Sequence, residues 1–346
     1  MREIVLGKTG IRTVQNAFGV LPLQRTEKEE AVRILRRAYE GGMRFFDTAR
    51  VYSNSEEKIG AALSDVRNSV YIASKTQATT PEGIKKDLET SLSELKTDYL
   101  DLYQLHNIKK HFEPGDGTGV CELLEDLKRQ GVIRHIGATT HSIQVAEEVV
   151  EKAYYETLQF PFSYLSIERE QQLARSAYEK EIGFIAMKSL AGGLITRSDA
   201  AFAFVSQYPG VLPIWGIQTM SELEDWLSYM DKDPQMTDEI EAFIRQERLE
   251  LNGEFCRGCG YCMPCTVDIK INNCARMSLM LRRAPSKNYL SEKWQGEMKK
   301  IEDCIECGVC LSRCPYGLEI PRLLKKNYED YQAVLSGRVS VEKSAG

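Results

Sequence analysis

The sequence predicts an α/β barrel of eight strands and eight helices, followed by a smaller and mainly helical domain. Two observations support this division of the 346 residues. Short apolar runs alternate with amphipathic helical patterns over residues 1–235, and nine of the ten cysteines fall in the last quarter of the chain. At about 150 residues per domain, the length also favours two domains.

The barrel is predicted from eight apolar runs, each short enough to be a buried strand. These runs cover residues 15–20, 44–47, 70–75, 100–106, 134–139, 157–160, 183–188 and 211–216. Eight β–α alternations favour a (β/α)8 TIM barrel over a doubly wound sheet. A doubly wound nucleotide-binding fold would also carry G-x-G-x-x-G after an early strand, and the sequence has no such motif there.

The segments between these runs have helical patterns with recognisable ends. Pro81 opens one helix at its first turn, and Gly131 closes another. The predicted helices cover residues 27–40, 56–63, 81–95, 121–130, 143–152, 168–180 and 200–206. A further charged amphipathic helix over 236–254 predicts a connector to the second domain.

Eight of the late cysteines form two tight runs. The first run is Cys256, Cys259, Cys262 and Cys265, and the second is Cys304, Cys307, Cys310 and Cys314, followed by Pro315. The second run reads C-x2-C-x2-C-x3-C-P, the ligand spacing of bacterial [4Fe–4S] ferredoxins. In two-cluster ferredoxins the fourth cysteine of each run binds the other cluster. We therefore expect Cys314 to complete the first site and Cys265 to complete the second.

Other uses of these cysteines stay open. Cys265 follows only two intervening residues, Thr266 stands where proline is expected, and Cys274 is a spare thiol that could replace a ligand. Eight thiolates could instead hold two zinc ions. Disulfides are less favoured, because residues 1–15 show no signal peptide and indicate a reducing, cytoplasmic compartment. Cys121 is predicted to pack inside a helix as a small hydrophobic residue.

The second domain is predicted to be helical and ferredoxin-like. Residues 277–283 and 292–302 have helical patterns between the two cysteine runs. We thus expect a barrel over 1–235, a connector over 236–255, a domain with two [4Fe–4S] clusters over 256–332 and a flexible tail over 333–346. The net charge of −5 argues against nucleic acid as a partner, and no apolar stretch approaches the ~18 residues of a membrane span.

Four polar residues stand at the carboxyl ends of consecutive predicted strands. Asp47 ends the second strand with Tyr52 five residues beyond it, Lys75 ends the third, and His106 ends the fourth. Barrel enzymes place their chemistry at this rim. We expect Lys75 to lower the pKa of Tyr52, Asp47 to keep Lys75 charged, and His106 to hydrogen-bond a substrate oxygen. Taken singly, each residue could equally be a cap, a solvated lysine, a core aromatic or a structural histidine.

These residues also resemble those of a known family. Residues 42–49, which read GMRFFDTA, together with Tyr52, Lys75 in Ala-Ser-Lys-Thr and His106 in Leu-His-Asn, resemble the signatures of aldo-keto reductases. The whole chain resembles a bacterial and archaeal subgroup with a C-terminal ferredoxin-like domain. The resemblance implies that Asp47, Tyr52, Lys75 and His106 form a catalytic tetrad. It also implies hydride exchange between a nicotinamide cofactor and a small-molecule carbonyl or alcohol.

The resemblance implies a nicotinamide site that departs from the family pattern. Its expected residues are Thr139, Thr140, Gln159, Met187, Lys188, Gly216 and Gln218. Gln159 matches the family, whereas the two threonines replace Ser-Asn and Met187 replaces a stacking aromatic. Residues 213–219 lack the Lys-Ser…Arg that grips the 2′-phosphate of NADPH, and acidic Glu222, Glu224 and Asp225 follow. We expect weak dinucleotide binding without a strong preference for NADPH.

Two classes of function remain open from the sequence. In the first, the protein is an oxidoreductase that takes electrons from NAD(P)H, from its clusters, or from a docked ferredoxin- or flavodoxin-type donor. A flavin could couple hydride and single-electron steps, although the sequence shows no flavin fingerprint. In the second, the protein transfers electrons or senses redox state, and its barrel has lost catalytic activity.

Overall fold

The computed structural model describes residues 2–251, 255–258, 260, 262–283, 286–314 and 316–341, without the side chains of residues 283, 286 and 287. Contacts divide the chain into two compact units. The first unit comprises Met1–Ser189 and Ser198–Ile240, and the second comprises Leu190–Arg197 and Glu241–Gly346. The short segment Leu190–Arg197 thus belongs to the second unit although the chain around it belongs to the first. The boundaries expected at 235 and 255 stay predictions.

Eight parallel strands of the first unit form a closed barrel, which confirms the predicted fold. The strands of this unit are β1 (Glu3–Val5), β2 (Arg12–Val14), β3 (Ala17–Gly19), β4 (Phe45–Asp47), β5 (Tyr71–Thr76), β6 (Leu100–Leu105), β7 (Ile133–Thr139), β8 (Thr157–Pro161), β9 (Gly183–Met187) and β10 (Val211–Gly216). Strands β3 to β10 follow one another around the barrel, and β10 pairs with β3 to close it. The carboxyl ends of all eight strands therefore lie at one rim.

An antiparallel hairpin precedes the barrel. Strands β1 and β2 pair with Glu3 opposite Val14. Ile4 and Ile11 join the apolar cluster that also contains Phe45 and Leu102 from the barrel strands. The sequence did not predict this hairpin, because strands of three residues are too short to show an alternating pattern.

Helices follow the barrel strands on the outside. They are α1 (Lys28–Glu40), α2 (Ser55–Leu63), α3 (Pro81–Leu95), α4 (Val120–Arg129), α5 (Ile143–Lys152), α6 (Glu168–Glu179), α7 (Ser198–Val205) and α8 (Met220–Ser228). The seven predicted helices agree with these bounds to within two residues. Helix α8 was not predicted. Thr219 caps it by accepting the Glu222 amide at 3.3 Å.

The second unit is helical in its described residues, as predicted. Its helices are α9 (Asp238–Glu250), which begins in the first unit, α10 (Ile271–Cys274), α11 (Met277–Arg283), α12 (Glu292–Lys299), α13 (Val309–Ser312) and α14 (Ile320–Leu335). Its apolar core contains Ile269, Leu281, Met298, Leu324 and Tyr331. No helix in the described part of the chain is both long and apolar enough to cross a membrane.

The expected flexible tail is partly folded. Helix α14 continues through Leu335, and Val334 is buried in the core of the second unit. Val339 and Val341 pack against the same core. The prediction of a flexible tail from residue 333 is therefore wrong for these residues. Their valine side chains pack on the apolar core of the second unit although the segment around them is polar. Residues 342–346 lie outside the described residues.

Candidate functional site

A buried ion pair lies at the barrel rim. The Lys75 ammonium on β5 donates to Asp47 Oδ2 at 2.6 Å and to the Thr48 carbonyl at 2.6 Å. Lys75 is completely buried, and Asp47 is 2% exposed. Buried charges are tolerated when they are paired and hydrogen-bonded. The structure thus brings together Asp47 and Lys75 as the sequence predicted.

Two glutamines hold the carboxylate of this pair. Gln104 donates to Gln159 Oε1 at 3.0 Å and to Asp47 Oδ1 at 3.4 Å, and Gln159 donates to Asp47 Oδ2 at 3.5 Å. Burial raises the pKa of Asp47, against Lys75 and the two amides, which lower it. Sequence reasoning missed Gln104. The residues of β6 are all buried. A polar amide in such a strand was the signal that could have identified Gln104 as a residue of the site.

Tyr52 and His106 complete the predicted cluster. Their ring centroids are 5.7 Å apart at an interplanar angle of 84°. The Lys75 ammonium lies 5.2 Å from the centroid of the Tyr52 ring. The loop that carries Tyr52 between β4 and α2 is held by its amide, which donates to the Ala49 carbonyl at 2.9 Å. All four residues therefore meet at one place, although their catalytic roles stay predictions.

The ionisation of Tyr52 differs from the sequence prediction. Burial raises the pKa of Tyr52, and the ammonium of Lys75 lowers it by less. Lys75 does lower the pKa of Tyr52, as expected, but burial outweighs this effect and the net pKa is raised. Burial penalises the charged phenolate, and a single cation that is already paired with Asp47 does not compensate for it. The Tyr52 hydroxyl consequently carries its proton at neutral pH.

His106 is neutral at neutral pH. Burial and, by a smaller amount, the nearby Lys75 together lower the pKa of His106 to about 3. Its backbone amide donates to the Thr76 carbonyl at 2.7 Å. Its Nδ1 is buried and has no hydrogen-bond partner in the described residues. A neutral imidazole can donate one hydrogen bond and accept another.

The threonines expected to bind nicotinamide are engaged with the chain itself. Thr139 Oγ1 accepts the Asn107 amide at 2.7 Å. Thr140 Oγ1 donates to the Ile108 carbonyl at 3.0 Å and accepts the Ser142 amide at 3.1 Å. Both threonines are buried. Their hydroxyls hold the loop after β6 in place.

The other expected cofactor residues lie at the ends of β9 and β10. Met187 is half-buried against the barrel core, next to Lys188, which is exposed. Gly216 is the last residue of β10, where a Cβ would approach Pro22 Cγ to 3.2 Å. Gln218 lies before α8, and its carbonyl accepts from Thr26 Oγ1 at 3.3 Å. The structure therefore places these residues at the same rim as the tetrad.

Glu222 occupies the amino end of α8. Its carboxylate accepts the backbone amides of Gln218 at 2.7 Å and Thr219 at 3.0 Å. Glu224 in the next turn pairs with Arg37 through two bonds of 2.8 and 2.9 Å. A helix amino end with free amides is a site for phosphate. Here a carboxylate of the same chain already takes two of those donors.

Sequence reasoning did not place His141 in the site. It follows Thr140 after β7, and its Nδ1 is buried with no partner in the described part of the chain. Burial, followed by the nearby Lys188, Lys109 and His106, lowers the pKa of His141 to about 3. Two lysines from different loops thus lie near two neutral histidines at the rim.

The cysteine runs come together around one cavity in the second unit. Its lining includes Cys262, Cys265, Cys304, Cys307 and Cys310. Cys265 of the first run therefore lies with the second run, and so does Cys262, which the two-cluster pattern assigns to the other cluster, so the division of the ligands between two clusters stays a prediction. This all-thiol donor set suits an iron–sulfur cluster. Thr266, which departs from the ferredoxin pattern, places its hydroxyl 3.5 Å from Cys307 Sγ.

The remaining cysteines lie elsewhere. Cys256 is buried and accepts the Gly258 amide at 3.4 Å, and Cys314 packs against the core of the unit. Burial raises the pKa of Cys274 to about 12, and its thiol lies 3.8 Å from the Glu297 carbonyl, away from the cavity lining. Cys259 and Pro315 lie outside the described residues.

Two further observations concern the thiols. Cys121 is fully buried on α4, as predicted. None of the cysteines that the structure describes forms a disulfide. Within the same described residues, no three histidine, cysteine or acidic side chains converge on a position for a single metal ion.

Two family models match the chain. Residues 3–201 match the aldo/keto reductase family. The chain belongs to the aldo/keto reductase family. Residues 255–319 match the 4Fe-4S dicluster domain, which favours iron–sulfur over zinc for the two cysteine runs. The barrel fold described above agrees with the first match.

Curated relatives and solved structures support the same family. The chain is 32% identical over 213 residues to the uncharacterized oxidoreductase YqkF of Bacillus subtilis, covering 57% of this chain and 67% of the relative. It is 30% identical to the aldo-keto reductase YhdN of the same organism, over 49% of this chain and 55% of the relative. The aldo-keto reductase AKR11C1 from Bacillus halodurans superposes with a TM-score of 0.62 at 22% identity, covering 71% and 96%. An aldo-keto reductase from Klebsiella pneumoniae in complex with NADPH superposes with a TM-score of 0.60 at 22% identity, covering 72% and 96%. At these identities the structures show a shared fold.

Proposed function

We propose that this oxidoreductase interconverts a carbonyl and an alcohol on a small molecule, with Tyr52 as the general acid and base. The observation that carries the proposal is the contact of Tyr52, Lys75 and His106 at the rim where barrel enzymes bind substrates. Asp47 holds Lys75 in this arrangement. Each residue has a separate chemical task that follows from its surroundings.

In the reducing direction, the substrate carbon receives a hydride and the substrate oxygen receives a proton. A nicotinamide supplies the hydride when it is bound. The protonated Tyr52 hydroxyl delivers the proton, and the neutral imidazole of His106 donates a hydrogen bond that orients the carbonyl. Lys75 lies close enough to stabilise the phenolate that remains, because an adjacent cation favours the charged form. In the oxidising direction the same phenolate accepts the alcohol proton.

We propose that the nicotinamide site uses Gln159, Met187, Lys188, Gly216 and Gln218. The aldo-keto reductase from Klebsiella pneumoniae binds NADPH in its crystal structure, which supports a nicotinamide cofactor for this fold. The engaged hydroxyls of Thr139 and Thr140 argue for weaker contacts to the carboxamide. Met187 covers a ring face without the stacking geometry of an aromatic side chain.

Glu222 is expected to suppress preference for NADPH. In the native chain we expect the Kd for NADPH to lie within about tenfold of that for NADH, because the α8 amides already bind a carboxylate. Glu222→Ala frees both amides and removes a negative charge. Contacts at a helix amino end are worth about 0.3–1 kcal/mol, so NADPH affinity should rise about two- to fivefold. Calorimetry on anaerobic protein measures both constants.

Glu224→Ala is the matched control, because it removes the same charge two residues further along α8 and leaves the two amides bound to Glu222. It should change NADPH affinity by less than Glu222→Ala. Micromolar binding of NADPH to the native chain, at least tenfold tighter than NADH, contradicts the proposed nucleotide site.

We propose two [4Fe–4S] clusters in the second unit, each supplying single-electron chemistry. Cys256, Cys259, Cys262 and Cys314 would hold the first cluster, and Cys304, Cys307, Cys310 and Cys265 the second. The cavity brings Cys262 and Cys265 together with Cys304, Cys307 and Cys310, which supports a site built from both cysteine runs. A small ferredoxin- or flavodoxin-type protein is the proposed external donor, because it also carries single electrons.

The substrate pocket favours an anionic substrate. A pocket of about 600 Å³ beside His106 is lined by Lys109 and by residues of the loops after β5 and β6, with no acidic residue in its lining. Lys109 and Lys188 together lower the pKa of His141, which places two cations near the rim. We therefore propose a carbonyl or alcohol that carries a carboxylate or a phosphate. Charge-assisted hydrogen bonds to such groups are the strong ones.

A panel of matched substrates tests both the reaction and the charge. Anaerobic protein is assayed with 2-oxo acids and their amides, and with sugar phosphates and the free sugars, using NADPH, NADH or reduced clusters as donor. The charged member of a pair should have a kcat/KM about tenfold higher or more. Lys109→Gln should reduce this ratio, because Lys109 lines the pocket, whereas Lys85→Gln on the exposed face of α3 should not.

The outcomes separate the alternatives. Turnover of neutral and charged members at equal rates contradicts the substrate class and leaves the reaction intact. No turnover with any donor contradicts the reaction and favours an electron-transfer or redox-sensing role for the chain.

A further inference from the structure

Arg276 occupies an unusual position in the second unit, in the turn between α10 and α11. Its Nη2 donates to the Ala191 carbonyl at 3.0 Å and to the Gly192 carbonyl at 3.3 Å. Both carbonyls belong to Leu190–Arg197, the segment between β9 and α7 that belongs to this unit. Arg276 therefore holds this segment through backbone atoms, a role that does not by itself require a charge.

The other side of the guanidinium lies against the first cysteine run. Gly258 has a φ of +66°, and a Cβ at this glycine would come within 2.6 Å of Arg276 Nη1. The amide of the same glycine donates to Cys256 Sγ at 3.4 Å. The positive φ favours glycine at this position, and the absence of a Cβ leaves room for the guanidinium beside the cysteine loop. The positive charge thus lies next to the ligands of the proposed first cluster.

The charge of Arg276 has no carboxylate partner in the described part of the chain. Burial lowers the pKa of Arg276, and the groups that oppose this are the Cys256 thiol and the Tyr289 phenol. Its Nε is also buried without an acceptor among the described residues. Proteins normally pair a charge that is largely removed from water, and the Arg276 side chain is half-buried. This arrangement calls for an anion at the cysteine run.

We propose that Arg276 is the countercharge of the [4Fe–4S] cluster at Cys256, Cys259, Cys262 and Cys314, and that it raises the reduction potential of this cluster. The inference rests on the proposed clusters. Four thiolates give such a cluster a net negative charge, and uptake of one electron from a reductant such as dithionite adds one further negative charge. A fixed neighbouring cation stabilises the reduced form more than the oxidised form.

A redox titration followed by electron paramagnetic resonance tests this role on the anaerobic holoprotein. Arg276→Met removes the charge and should make one-electron reduction of one cluster at least about tenfold less favourable, a shift of about 59 mV to lower potential. The other cluster is the internal reference and should keep its potential. Arg276→Lys keeps the charge but cannot form the same bonds to two carbonyls, so its potential should lie closer to the native value than to that of Arg276→Met.

Arg282→Met is the matched control, since Arg282 in the same unit is exposed and pairs with Asp330 at 2.6 Å. It should leave both potentials unchanged. If both reduction potentials are unchanged in Arg276→Met while hydrogen exchange in residues 190–197 becomes faster, the proposal is overturned. Arg276 would then only stabilise the conformation of this segment. If Arg276→Met loses a cluster, Arg276→Lys tests the proposal in its place. A tenfold change in the reduction equilibrium of the first cluster in Arg276→Lys, which retains the charge, would overturn the proposal. Iron and sulfide analysis of the native protein tests separately whether the clusters exist.

Discussion

Tyr52→Phe is expected to lower kcat about 10²- to 10⁴-fold on the true substrate, with a small change in KM. The substitution removes the proton that the substrate oxygen receives and keeps the ring that packs at right angles to His106. Loss of the general acid affects the transition state more than substrate binding, which is why the effect should appear in kcat. Steady-state kinetics with the best substrate of the matched panel measures the change.

Tyr178→Phe is the control for this substitution, because Tyr178 lies exposed on α6 outside the barrel rim. It should retain native turnover, and both variants should retain the native iron content. Near-native kcat in Tyr52→Phe contradicts the proposed role of this tyrosine. A loss of iron in the same variant would instead indicate that the change acted through folding.

Cys307→Ser is expected to remove one of two clusters and leave the other. The native protein should hold about eight iron and eight sulfide per chain, and the variant about four of each. The thiol of Cys307 lines the cavity with Cys304 and Cys310, so its loss removes a donor from the proposed second site. Iron and acid-labile sulfide analysis on anaerobic protein measures the loss.

A separate substitution, Cys265→Ser, tests the exchange of ligands between the two cysteine runs. Cys265→Ser should remove the same resonance signal as Cys307→Ser, because both thiols line one cavity. Cys121→Ala should leave both signals, because Cys121 lies buried on α4. Zinc without acid-labile sulfide in the native protein contradicts both cluster assignments. Loss of different signals in Cys265→Ser and Cys307→Ser contradicts the exchange alone.

Local sequence patterns were sufficient for the barrel and the tetrad positions. Strands of a barrel end at one rim, so residues such as Asp47 and Lys75 must meet once the strand ends are known. The spacing of the second cysteine run likewise predicted an iron–sulfur ligand set. A short loop with fixed spacing allows its thiols only a few geometries around a metal group. The hairpin β1–β2 and helix α14 escaped prediction, because their stability comes from contacts with distant parts of their units.

Only the tertiary structure decided the state and partners of these groups. The sequence placed Lys75 beside Tyr52 but could not weigh its charge against burial, and burial determines the sign of the Tyr52 pKa shift. Gln104 and Gln159 meet across 55 residues of chain, and Arg276 meets Ala191 across 85. A local sequence pattern cannot predict contacts between residues that lie so far apart in the chain. Local sequence motifs therefore identify the chemical groups that this protein can use. The pKa values and charges of these groups depend on which distant side chains the fold buries beside them.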